Sequence, residues 1–199
     1  MKRSRVFPCI LCSILVLGSL VHATLAPSDL YPSEEEKVFI ISQIQQHLKE
    51  KAAKLPESDI DLIAEIVFQE SQRYGVDYRL VLAIMKIESN FKNHVTSSAG
   101  ARGLMQIHPS LARGIAGEAG IHYTGAKDLF DPHKNIRLGT YYISLLMDMF
   151  DDMPTALFAY SVGHHKAKRL MAADKNPHTF YTKKVISQYQ KNTKKMVDL

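Results

Sequence analysis

Apolar residues recur along most of this chain at three- and four-residue intervals, and strand-like alternation is nearly absent. The pattern predicts a mainly α protein. Ser33 with Glu36 three residues on reads as a capping box, and Ile40, Ile41, Ile44 and Leu48 continue at helical spacing until the charged stretch 49–54 and Pro56. A second helix is expected from an N-cap near Ser58, with Leu62, Ile63, Ile66, Val67 and Tyr74 on one face and Gly75 as its stop. A third starts from Asp77. Later helical patterns run over 136–150, carrying Leu138, Tyr142, Leu145, Leu146 and Met149, over 154–162, and over 178–191. Between Asn90 and Asn135 the spacing is too irregular to assign.

The first residues break this pattern. Lys2, Arg3 and Arg5 precede an apolar run from Val6 to Val21, with small residues at Ala23 and Ala26 and a polar, acidic stretch after Ser28. That layout predicts a secretory signal peptide over 1–26 and a periplasmic or secreted protein. An uncleaved anchor is the weaker alternative, because the run falls short of the roughly 20 apolar residues of a spanning helix. Residues 27–56 then form an N-terminal helical appendage, packed on the main domain or standing off as a stalk, and 57–199 form the main domain. Both cysteines, Cys9 and Cys12, lie within the signal.

Composition suits a compact domain: 46% hydrophobic and 23% charged over 199 residues. The formal charge is +5, and losing the three cations of the signal leaves +2, so no nucleic-acid partner is implied. The remaining positive charge gathers late, at Lys166, Lys168, Arg169, Lys183, Lys184, Lys191, Lys194 and Lys195. Such a run is ordinarily a solvated face, with contact to an anionic wall or membrane surface as the alternative.

In the third helix Val81, Ile84, Met85 and Glu88 fall at i, i+3, i+4 and i+7, which puts a carboxylate on an apolar stripe. Desolvation there would raise its pKa and suit it to general-acid work near neutral pH. A helix-end glutamate that turns to solvent, or pairs with Lys86 or Lys92, explains the same spacing. The segment Ser97-Ser98-Ala99-Gly100-Ala101-Arg102-Gly103-Leu104-Met105-Gln106-Ile107 mixes glycines with a sudden apolar cluster, as a ligand-contacting loop or a tight turn would. It lacks the Lys-Ser or Lys-Thr pair of a phosphate loop. Nine histidines include the pair His164-His165, whose side chains should diverge on a helix; with no metal-ligand spacing, neither metal nor cofactor is expected.

Glu88-Ser89-Asn90-Phe91, followed by Ser97-x-x-Gly100-Ala101-x-Gly103-Leu104-Met105-Gln106, resembles the signature of the lytic transglycosylases related to the soluble lytic transglycosylase catalytic domain. The resemblance extends to Tyr74-Gly75-Val76-Asp77, to Asp131-Pro132, Asn135-Ile136, Gly139 and Tyr142, to Ala159-Tyr160-x-x-Gly163, and to Tyr181 with Val185. It implies a lysozyme-like transglycosylase domain with an extra N-terminal helix, acting on peptidoglycan glycan strands as a monomer. It also implies that Glu88 is the sole acid/base: it protonates the oxygen joining N-acetylmuramic acid to N-acetylglucosamine, then takes the proton of the muramic C6 hydroxyl as a 1,6-anhydro ring closes.

By the same resemblance Ser97, Met105, Gln106, Tyr160 and Tyr181 bind substrate, with Tyr181 close to Glu88. Each has a plainer role: Met105 as core, Ser97 as a turn cap, the tyrosines as packed aromatics. Two departures stand out. Ser161-Val162 replaces the family's Asn-Ala, and Ser98 stands where many relatives have proline. A goose-type lysozyme would need a second carboxylate, for which Asp128 and Asp131 are candidates by charge alone. A peptidoglycan-binding module of an envelope assembly is the non-catalytic alternative, and a partner in envelope machinery is left unidentified.

Overall fold

The computed structural model describes residues 32–52 and 55–197. The expected signal peptide, with its cysteines and cleavage positions, lies outside the described residues. Among the described residues the elements are α1 (Glu34–Lys51), α2 (Glu57–Tyr74), α3 (Tyr78–Glu88), α4 (Pro109–Ile115), a 3-10 turn (Ala126–Phe130), α5 (Pro132–Met149), α6 (Met153–Val162), α7 (His164–Met171) and α8 (Phe180–Lys195). The only extended pairing among them is two isolated bridges, Thr96 with Arg102 and Arg102 with Ile107. No described helix is long and apolar enough to cross a membrane.

The capping box forms as the spacing predicts: the Ser33 hydroxyl accepts from the Glu36 amide, and the Glu36 carboxylate accepts from the Ser33 amide. Helix α1 packs against α2, with Ile44 and Leu48 fully buried in the common core. Helix α2 opens two residues earlier than expected, on Pro56 without a side-chain cap, and Leu62 is half exposed because the buried stripe runs through Ile60, Ile63, Ala64, Ile66 and Val67. Gly75 ends α2 in a left-handed conformation, and Asp77 caps α3 through the Arg79 amide. The apolar α3, its residues 80–85 buried without exception, is the axis on which α2 and α8 pack.

One core position is held by a histidine. His47 on α1 is 2% exposed, neither ring nitrogen has a hydrogen-bond partner among the described residues, and its ring meets that of Phe91 edge to face at 6.0 Å. Burial, reinforced by the charge of Lys195, pushes its pKa down to about 4, so the ring is neutral at physiological pH. Two unpaired buried polar atoms weaken the fold. His47→Leu is therefore expected to stabilise the protein by about 1–2 kcal/mol at pH 7, measured by urea denaturation.

Candidate active site

Glu88 is the last residue of α3, where the helix is stopped by an unusual backbone. Asn90 and Phe91 both take left-handed conformations, φ 52° and 62°, which is strained for a bulky phenylalanine. Burial of Phe91, 1% exposed, offsets that strain, and Ser89 secures the turn: its hydroxyl lies 2.8 Å from the Leu104 carbonyl and 3.2 Å from that of Met85. The end of α3 is thus stitched to the glycine-rich loop.

That loop is fixed from the opposite side by Asn135 at the start of α5. Fully buried, Asn135 accepts from the Met105 amide at 2.7 Å and donates to the carbonyls of Arg102 and Leu129 at 2.8 and 2.9 Å. Asn135 and Ser89 were visible only as motif positions; their roles arise from bonds to loop carbonyls and amides that helical periodicity does not encode.

The side chain of Glu88 is partly buried and accepts a 2.6 Å hydrogen bond from the Tyr181 hydroxyl on α8. Lys86 turns instead to Asn90. Burial raises the Glu88 pKa to about 7, with the Tyr181 hydrogen bond pulling the other way and no neighbouring charge contributing. Tyr160 stands close enough for the Glu88 charge to push its own pKa further up, beyond the larger effect of burial. The Tyr181 hydroxyl is likewise pushed well up, by burial first and then by Glu88. Both phenols stay protonated and can only donate to, or dry out, the carboxyl.

A linkage follows from the raised pKa. The folded state holds the Glu88 proton more tightly than the unfolded chain, so this stabilising contribution is complete below pH 4.5 and is lost as pH climbs to about 7. The shift corresponds to about 3 kcal/mol. Glu88→Gln removes the titration, so its stability advantage over wild type should grow by about 3 kcal/mol between pH 4.5 and 8. Urea denaturation of both proteins at several pH values reads that difference, and a constant offset would contradict the burial of the carboxyl.

The expected site residues divide. Glu88, Tyr160 and Tyr181 come together. Tyr160 reaches the loop by donating to the Met105 carbonyl at 2.9 Å. Met105 itself, expected to line the groove, has a fully buried side chain; it packs on Gly139, where any β-carbon would come within 2.4 Å of the Met105 sulfur. Its tie to the site is its backbone. Gln106 lines the adjoining cavity and uses its amide nitrogen on the Val95 and Gly103 carbonyls, while its Oε1 accepts from none of the described residues. Ser97 lies within the loop, its hydroxyl oxygen accepting from the Ala101 amide at 3.1 Å.

The adjoining cavity, about 750 Å³, is walled by the loop, α4, the end of α6 and α7. Tyr142 meets Tyr160 ring to ring at 5.5 Å and accepts from the His164 amide, so α5 braces the start of α7. The rings of His164 and His165, expected to diverge, have centroids 4.0 Å apart. Ser161 turns its hydroxyl back to the Phe158 carbonyl at 2.8 Å. Asp128 and Asp131 are engaged elsewhere. Asp128 accepts from the Thr124 amide and Lys134, which hold its pKa down at about 2, and Asp131 caps α5. No group of three metal-ligating side chains converges among the described residues.

Comparison with known proteins places this arrangement. Membrane-bound lytic murein transglycosylase C of Klebsiella pneumoniae subsp. pneumoniae is 34% identical over 68% of this chain, and that of Salmonella typhi 33%. The chain spans 38% of the length of each. The fold matches the 70-kDa soluble lytic transglycosylase of Escherichia coli with a TM-score of 0.62 at 21% identity, over 84% of this chain and 31% of that one. It also matches lytic transglycosylase Slt of Pseudomonas aeruginosa, solved as an inactive glutamate-to-glutamine mutant, with a TM-score of 0.58 at 23% identity over 76% and 27%. The model of the transglycosylase SLT domain covers residues 65–182, from the middle of α2 through the Tyr181 that holds Glu88, and the chain belongs to that family.

Proposed function

We propose that this protein is a peptidoglycan lytic transglycosylase that cleaves the β-1,4 bond between N-acetylmuramic acid and N-acetylglucosamine, with Glu88 as its single acid/base. The observation that carries this reading is a carboxyl raised to about pKa 7 by burial, held by Tyr181, with no second charged group contributing to the shift. Near neutral pH such a group is present in both protonation states, as one residue serving as acid and then base requires.

In the first step the Glu88 proton passes to the glycosidic oxygen as the bond from that oxygen to the muramic anomeric carbon breaks. The oxocarbenium-like carbon left behind is met by the carbonyl of the sugar's own acetamido group. In the second step the Glu88 carboxylate takes the proton of the C6 hydroxyl, whose oxygen bonds to the anomeric carbon as the acetamido oxygen leaves it, closing the 1,6-anhydro ring and restoring the acetamide. No water is consumed, and Glu88 ends protonated as it began. A hydrolase would need a carboxylate to activate water or attack the sugar. Asp128 and Asp131 are occupied by their own loop and helix start.

Gln106, with Oε1 open, suits an acetamido N–H, and Ser97 keeps its hydroxyl proton for a sugar oxygen. Tyr160 packs beneath the reacting sugar as a protonated phenol. The relatives' names support a murein substrate, and an exported, monomeric enzyme in the envelope fits the sequence. Digestion of purified sacculi, followed by mass spectrometry, tests the reading: muramic ends should be 1,6-anhydro. Reducing muramic ends would replace it with a lysozyme-type hydrolase, and the absence of soluble fragments with a binding module.

A further inference from the structure

Helix α7 gives the cavity beside Tyr160 a charge that the glycan backbone does not call for. The wall contains His164, His165, Lys166 and Arg169, and none of the residues lining the cavity is an aspartate or glutamate. Neither Lys166 nor Arg169 forms an ion pair among the described residues, in contrast to Arg73, Arg79, Lys134 and Arg137. Ala167 is the one fully buried residue of α7 and fixes its rotation. With Ala167 inward, the exposed side chains at 165, 166 and 169 share the cavity side, whereas the equally exposed Lys168 does not line it. Ser161 and Val162, one of the two departures from the family motif, line the same cavity immediately before this helix. Ser161 folds back on its own helix, leaving the cations as the charged groups there.

We propose that Lys166 and Arg169, with His165 beside them, bind the carboxylates of the stem peptide carried by the muramic acid, so that this enzyme selects glycan that still bears its peptide. The inference rests on the peptidoglycan reading above. The chemistry distinguishes backbone from peptide: N-acetylated sugars are neutral, and a muramic lactyl group bonded to peptide is an amide, so the negative charge of the strand sits on the peptide's free carboxylates. Two unpaired cations on one helical face, with no competing acid in the cavity, suit a ligand with more than one carboxylate. The remaining lining, including Leu111, Ile115 and Val162, accommodates the apolar parts of the peptide.

Binding is measured by calorimetry with two small probes that lack the cleavable bond: N-acetylglucosaminyl-N-acetylmuramyl-tetrapeptide and the same disaccharide without peptide, which keeps only its lactyl carboxylate. Wild type should prefer the tetrapeptide form, and Lys166→Gln with Arg169→Gln should weaken that form about tenfold while leaving the bare disaccharide unchanged. Lys168→Gln, the same charge change off the cavity, should leave both unchanged. Equal wild-type affinity for the two probes, equal loss on both, or equal loss from Lys168→Gln would overturn the proposal. Because neither probe is cleaved, a failure here is distinct from a failure to find anhydro ends in sacculus digests.

Discussion

Glu88→Gln is expected to lower release of soluble fragments from sacculi by at least about 10³-fold while the protein still binds glycan and melts cooperatively. Glutamine keeps the shape and can still accept from Tyr181, so the loss isolates the proton. The magnitude is large because the same carboxyl serves both steps, and no second acid or base stands by in the described site. Wild-type kcat/KM should be level around pH 6 and fall about tenfold per pH unit well above 7, as the protonated form that begins the reaction is lost. Residual activity of Glu88→Gln within tenfold of wild type would remove Glu88 from the chemistry.

Gly103→Ala should produce the largest loss of stability, about 4 kcal/mol and about 10 °C in melting temperature by calorimetry. Gly103 has φ 76°, and an added β-carbon would lie 2.1 Å from the Leu129 carbonyl oxygen and 2.4 Å from Asn135 Nδ2. Neither can yield cheaply, since Asn135 is the clamp that holds the loop to α5. The loop would shift, carrying the Met105 carbonyl away from Tyr160 and lowering activity as well. Gly75→Ala is the matched comparison. Its φ of 63° is similar but its surroundings are open, so only the backbone strain of about 1 kcal/mol should appear.

The helices were largely legible because each buries one stripe, and the stripe's period is in the chain. Glu88 was legible as a carboxylate on such a stripe but not as a buried acid, since its environment depends on Tyr181, 93 residues away. The segment 90–135 resisted because, beside a left-handed Asn90, its turns use left-handed Phe91 and Gln106, residue types that do not announce that conformation. Met105 shows the limit of a motif: the pattern marks the loop as functional, while Gly139, by lacking a side chain, decides that methionine goes inward. Helix α7 has one fully buried residue, Ala167, with Leu170 and Met171 partly buried three and four positions on, a stripe too short to register as a period. His47 could have been noticed, standing with Ile44 and Leu48 at helical spacing in a stripe otherwise apolar.

The proposed chemistry depends on one carboxyl holding its proton into the neutral range. Carbon-13 NMR titration of the Glu88 side-chain carboxyl, assigned by its absence from Glu88→Gln, measures this without substrate. An apparent pKa of about 7 is predicted, moving higher in Tyr181→Phe because the phenol's hydrogen bond favours the carboxylate. A value near 4.5, the same with or without the Tyr181 hydroxyl, would contradict it.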